Sequence, residues 1–169
     1  MKKNLVLVGM MGVGKTSVGK IVAKKLNMKF IDTDLNIEKK CLMKIAEIFN
    51  KKGENFFRIE EEKEVITSLK KTKSIIALGG GAFINKNLRN VILKNSISVW
   101  LDIDTKILTN RTKINKKRPL LNKKNNQNII DELYSKRKNI YQYADHKIDC
   151  NNLDKENIAK KIMIYYETL

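Results

Sequence analysis

The sequence predicts an α/β fold, with a central parallel sheet flanked by helices on both faces and a single domain spanning residues 1–169. Three observations carry this. Short apolar runs alternate with stretches of helical periodicity along the whole chain. The strand-like runs are almost continuously apolar, as strands covered on both faces are. The first of them, residues 5–8, runs straight into Gly9-Met10-Met11-Gly12-Val13-Gly14-Lys15-Thr16. That is a complete G-x-x-x-x-G-K-[ST] phosphate loop, with a strand before it and a helical pattern after it.

The elements follow in order. After strand 5–8, a helix over 15–27 places Val18, Ile21, Val22 and Leu26 on one face. A short strand at 30–31 ends in Asp32-Thr33-Asp34. Helical pattern covers 35–51 in two pieces, Gly53 breaks it, and 54–70 is helical again around the acidic run Glu60-Glu61-Glu62. Residues 74–78 form a strand stopped by Gly79-Gly80-Gly81. A helix over 86–93, a strand over 96–101 and a helix over 105–111 come next. Residues 112–127 break the pattern and contain the chain's one proline. A long polar, basic loop beside a phosphate loop reads as a lid, or else as a disordered lysine-rich loop without consequence. Helix 129–143, strand 146–150 and helix 155–167 complete the chain, with no repeat and no domain boundary.

Composition narrows the classes. The net charge of +17 comes from thirty lysines and only five arginines, spread along a chain also rich in Asn and Ile. This is a compositional bias rather than a basic face with interleaved aromatics, so no nucleic-acid partner is expected. An anionic substrate would still be drawn to such a surface. Cys41 and Cys150 have no metal-like spacing and read as reduced thiols. No apolar stretch approaches the roughly 20 residues of a membrane span. The opening Met-Lys-Lys and its apolar run lead directly into the phosphate loop and read as the first strand. A cytoplasmic monomer with no membrane contact is expected.

The chemistry gathers at the predicted strand ends, where ligands of open parallel sheets bind. In the phosphate loop, Gly12, Val13 and Gly14 lend backbone N–H groups to a phosphate chain, Lys15 adds a point charge, and Thr16 offers a hydroxyl to Mg²⁺, with Ser17 beside it. Asp32 and Asp34, two apart in extended chain, would face the crevice together about 7 Å apart. One would hold the Mg²⁺ hydration shell and the other accept a substrate proton; alternatively, Asp34 merely caps the next helix. Asp102 and Asp104, after the fourth strand, compete for the metal. The triple glycine Gly79-Gly80-Gly81 serves a tight turn or a close backbone approach to a ligand. In a lysine-biased chain an arginine suggests a need for its planar fork. Arg58 and Arg137 would clamp a carboxylate and Arg118, in the lid, would neutralise a transferring phosphate. The bland alternative is surface pairing, for example Arg58 with Glu61 or Glu62.

In this combination and order the motifs resemble the shikimate kinase family. The resemblance covers roughly residues 4 to 150. It rests on the phosphate loop, Asp32-Thr33-Asp34, Phe57-Arg58 followed by Ile-Glu-Glu, Gly79-Gly80-Gly81-Ala82, Arg118-Pro119-Leu120-Leu121 and the Arg137–Tyr141 segment. It implies a P-loop kinase with a lid that phosphorylates the 3-hydroxyl of shikimate with ATP and Mg²⁺, on the route to aromatic amino acids. By that resemblance Asp34, Arg58, Gly80 and Arg137 hold shikimate, with Gly79 and Gly81 beside them. Lys15 and Arg118 hold the phosphates, Thr16 ligates Mg²⁺ and Asp32 binds its waters. Thr16-Ser17 reverses the family's usual Ser-Thr order. The arginine the family commonly places after the last strand is replaced by Asn151-Asn152-Leu153, so the adenine contact falls to backbone or to Asn151. The nearest rival of similar build is gluconate kinase.

Overall fold

The structure, a computed structural model, describes residues 3–113 and 126–169. Its centre is a five-stranded, all-parallel sheet in the order β2-β3-β1-β4-β5. The strands are β1 (Asn4–Val8), β2 (Lys29–Asp32), β3 (Ser74–Ala77), β4 (Ser96–Asp102) and β5 (His146–Asp149). Helix α1 (Lys15–Lys25) crosses β1, β2 and β3 beside α7 (Lys155–Glu167). Helix α4 (Lys86–Asn95) covers β4 and touches α3 (Ile45–Leu69), while α5 (Thr105–Lys113) packs on α6 (Asn126–Tyr141). The periodicity thus predicts each strand and α-helix among the described residues, with bounds that shift by a few positions, but not the short 3-10 helix at Ala82–Ile84.

The centre of the sheet is as apolar as its strands suggest. Leu5, Val6, Leu7, Ile75, Ile76 and Val99 are completely buried. Burying one such side chain stabilises by about 1.5–3 kcal/mol, which is why the central strands can lack any polar alternation. Strand β1 lies between β3 and β4. The chain builds one side of the sheet first and then crosses to the other, so the carboxyl end of β1 is the place where the order changes sides. Open sheets keep their ligand crevice at that point.

A second, smaller cluster stands apart from the main core. Ile37 of α2 (Thr33–Cys41), with Ile48 and Phe57 of α3, is buried there against Cys41, Met43, Ile45 and Phe49. Gly53 breaks α3 as its residue type predicts: its φ of 83° and ψ of 167° are not helical, and a β-carbon there would be strained.

Candidate active site

The phosphate loop follows from β1 and its neighbours. Gly9 has a φ of 137°, and a β-carbon there would lie 2.5 Å from the Leu101 carbonyl of β4. Only glycine lets the chain leave β1 at this angle. Gly14, at φ 108°, begins α1 without any side-chain cap. The first-turn N–H groups of α1 therefore keep the open, anion-favouring end that a phosphate chain uses. Lys15 is buried, and its ammonium donates back into the loop, to the carbonyls of Gly9 at 2.8 Å and Met10 at 2.9 Å. Arg111, at the end of α5, reaches the Val13 carbonyl at 3.3 Å.

The Asp-Thr-Asp triplet departs from the extended geometry expected of it. The strand ends at Asp32, and α2 already begins at Thr33. Asp32 is the cap: its Oδ1 accepts the Leu35 N–H at 3.1 Å. Its Oδ2 accepts the Thr16 hydroxyl at 2.6 Å, so the two residues expected to share a metal do meet. Asp34 sits in the first turn of α2 and reaches the triple glycine by a different route. A β-carbon on Gly79 would collide with Asp34 Oδ1 and lie 2.9 Å from Glu61 Oε1. Asp102 turns elsewhere, accepting the Tyr134 hydroxyl at 2.9 Å and pairing with Lys147 at 2.8 Å. Asp104 Oδ1 accepts the Lys106 N–H at 2.7 Å. Of these carboxylates, Asp32 is the one bonded to the phosphate-loop hydroxyl. The Asn151 side-chain oxygen takes the Asp104 N–H at 2.9 Å.

The three glycines each make room for a different group. Gly79 admits Asp34 and Glu61, Gly81 lies against the Arg58 guanidinium, and a β-carbon on Gly80 would be 3.4 Å from Arg137 Nη1. A cleft of about 300 Å³ opens here, lined by Arg58, Glu61, Gly81 and Arg137 among others. A larger hollow of about 440 Å³, beside Lys29, Asn36 and Glu64, lies off the strand ends that carry the chemistry. Arg58 pairs with Glu61 at 2.7 Å and with Glu54 at 3.0 Å. The helical pairing weighed for Arg58 is therefore present, but its partner is buried rather than on the surface: Glu61 is 3% exposed. Burial raises the Glu61 carboxyl above its ordinary range, against the pull of Arg58. Burial also works against the charge on Arg58, and Glu61 and Glu54 more than offset it, so its pKa rises.

Residue chemistry alone gives Arg111 no role, offers Glu61 only as a surface partner of Arg58 and Tyr141 only as the end of a motif; the fold brings all three to the crevice. The spacing of Arg58 to Glu61 and of Arg137 to Tyr141, one helical turn each, was the available signal. Arg118 and most of the lid at 112–127 lie outside the described residues.

A phosphate loop at the switch point of a parallel sheet, next to a carboxylate and two arginine forks, defines a small-molecule kinase of the P-loop class. The comparisons agree. The shikimate kinase family model matches residues 11–167. A shikimate kinase of Sulfurihydrogenibium sp. (strain YO3AOP1) is 41% identical, over 95% of this chain and 96% of its own. The one of Bacillus subtilis (strain 168) is 41% identical, over 96% of this chain and 88% of its own. Among solved structures, the shikimate kinase from Acinetobacter baumannii in complex with shikimate superposes with a TM-score of 0.95 and 32% identity, covering 99% of this chain and 94% of that one. The chain belongs to the shikimate kinase family.

Proposed function

We propose that this crevice moves the γ-phosphate of ATP to the 3-hydroxyl of shikimate, with the labour divided as follows. Lys15 exchanges its two loop carbonyls for the β- and γ-phosphates, beside the open N-terminus of α1. Asp34, next to Gly79, accepts the proton of the attacking hydroxyl. Arg58, oriented by Glu61, and Arg137, touching Gly80, clamp the substrate carboxylate from two helices. Arg118 is assigned the transferring phosphate.

The Thr16 hydroxyl and the Asp32 carboxylate are hard oxygen donors in direct contact. Among the described residues no cluster of three or more His, Cys, Asp or Glu could hold a metal by itself. That suits Mg²⁺, which takes one or two protein oxygens and completes its shell with water and phosphate. When bound, Mg²⁺ would neutralise charge on the nucleotide phosphates. Thr16 would supply a direct oxygen, and Asp32 would orient the metal's waters.

The observation that carries this reading is the meeting of Asp34, Arg58 and Arg137, from three different helices, at Gly79-Gly80-Gly81. A carboxylate-bearing polyol fits between a proton acceptor and two forks. ADP release coupled to a dye, with shikimate, gluconate and quinate offered in parallel, tests it. Turnover dependent on shikimate is expected, and faster turnover of gluconate overturns the assignment. We also assign the protein to the cytoplasm as a monomer, which light scattering in solution checks for the oligomeric state.

A further inference from the structure

Tyr141 lies on α6 one turn after Arg137 and is completely buried, its ring 6.0 Å from that of Trp100. Filling that space needs only a ring. A hydroxyl kept in such a place needs a hydrogen-bond partner. It has one: the phenol donates to the Gly80 carbonyl at 2.6 Å. The same carbonyl receives Arg137 Nη1 at 3.3 Å. The hydroxyl also lies 4.0 Å from Sδ of Met10, in the phosphate loop. Burial pushes the phenol up to about 12, while the neighbouring Arg137 guanidinium pulls it down. It stays a neutral donor at working pH.

Resting on the proposed function, we infer that Tyr141 is a positioning residue for the acidic substrate, acting through the Gly80 carbonyl and Arg137. A short phenol bond takes the main share of that carbonyl. Arg137 is left with a long contact there, so its other N–H groups can face the cleft. The phenol also holds the Gly80–Gly81 peptide, and Gly81 is the residue against which Arg58 lies. If the phenol is removed, a part-buried acceptor loses its shorter partner, and the donor already beside it, Arg137, can close on it. The guanidinium would then be drawn out of the substrate's reach.

Tyr141→Phe keeps the ring and tests this. Shikimate KM, and shikimate Kd by direct titration, should rise about five- to tenfold, the worth of one hydrogen bond. ATP KM and kcat should stay within about twofold of wild type. In an Arg137→Lys background the same change should add almost nothing, because the effect passes through the lost fork. Unchanged shikimate affinity, equal rises for both substrates, or full additivity with Arg137→Lys each overturns the role. Wild-type protein that fails to turn over shikimate would instead remove the proposed function, an outcome separate from these.

Discussion

The Thr16 hydroxyl and the Asp32 carboxylate meet at 2.6 Å, and the other oxygen of that carboxylate caps α2. One side chain thus joins the phosphate loop to the helix that carries Asp34. Asp32→Asn keeps a carbonyl oxygen for the cap, so the fold should hold while a charge beside the metal waters is lost. The Mg²⁺ concentration for half-maximal rate should rise about tenfold. Asp34→Asn should leave that concentration unchanged and lower kcat about a hundredfold or more, the range of a positioned general base. A Mg²⁺ titration of both variants checks the division; identical profiles would dissolve it.

Lys15→Met keeps the length of the side chain and removes its charge. Phosphoryl transfer relies almost wholly on positioning and charge, so kcat should fall about a thousandfold or more. Single-turnover measurement on protein with a native circular dichroism spectrum is the check. Near-normal turnover would end the kinase reading.

The glycines offer a steric test. A methyl at Gly81 would meet the far end of Arg58, and one at Gly79 would meet Asp34 and Glu61. Gly81→Ala should displace the guanidinium, loosening its pair with buried Glu61, and raise shikimate KM about tenfold, leaving ATP KM alone. Gly79→Ala should act on kcat, since it displaces the proton acceptor. Steady-state kinetics with each substrate varied in turn would reveal an exchange of these two signatures, which would reassign the glycines.

These sites divide by how much of them the sequence makes legible. The loop from Gly9 to Thr16 is local, and its strand and helix are written on either side of it. The break at Gly53 is equally local. The Asp-Thr-Asp triplet is readable in its residues but not in its geometry. Extended spacing and helix capping compete there, and the Leu35 N–H settles it for capping by Asp32 rather than Asp34. Arg58 has three carboxylates within one helical turn, Glu54, Glu61 and Glu62, and the sequence does not say which of the last two it takes. The choice is made by the Gly79 turn packing on α3, a long-range contact with no local trace. The convergence of Tyr141 and Arg137 on Gly80 is hidden for the same reason.

Glu61 yields a prediction in pH. Burial lifts its folded carboxyl above the ordinary value of 4.5. A group raised in this way contributes stability that is complete below about pH 4.5 and is lost as pH rises through its folded value. Wild type should therefore lose ground to Glu61→Gln in urea midpoint as pH climbs from about 4 to 7. Taking the difference between the two proteins cancels the carboxylates whose values are lowered, Glu47, Glu60 and Glu132 among them. A difference that runs the other way would mean the Arg58 pair outweighs burial.

The small cluster of Ile37, Ile48 and Phe57 has a consequence for how the molecule breathes. With only Ile37 and Ile48 as fully interior side chains of its own, packed on Phe57 across the Gly53 break, α2 and the first half of α3 form a corner that can melt before the sheet does. Asp34 rides on that corner, whereas Gly80 and Arg137 belong to the main body. A substrate gripped by both would act as a temporary rivet across a seam otherwise pinned by Thr33, which bonds the Ala77 carbonyl and the Gly79 N–H. Its presence should therefore slow amide exchange over 33–52 much more than over β1, where exchange already requires global opening.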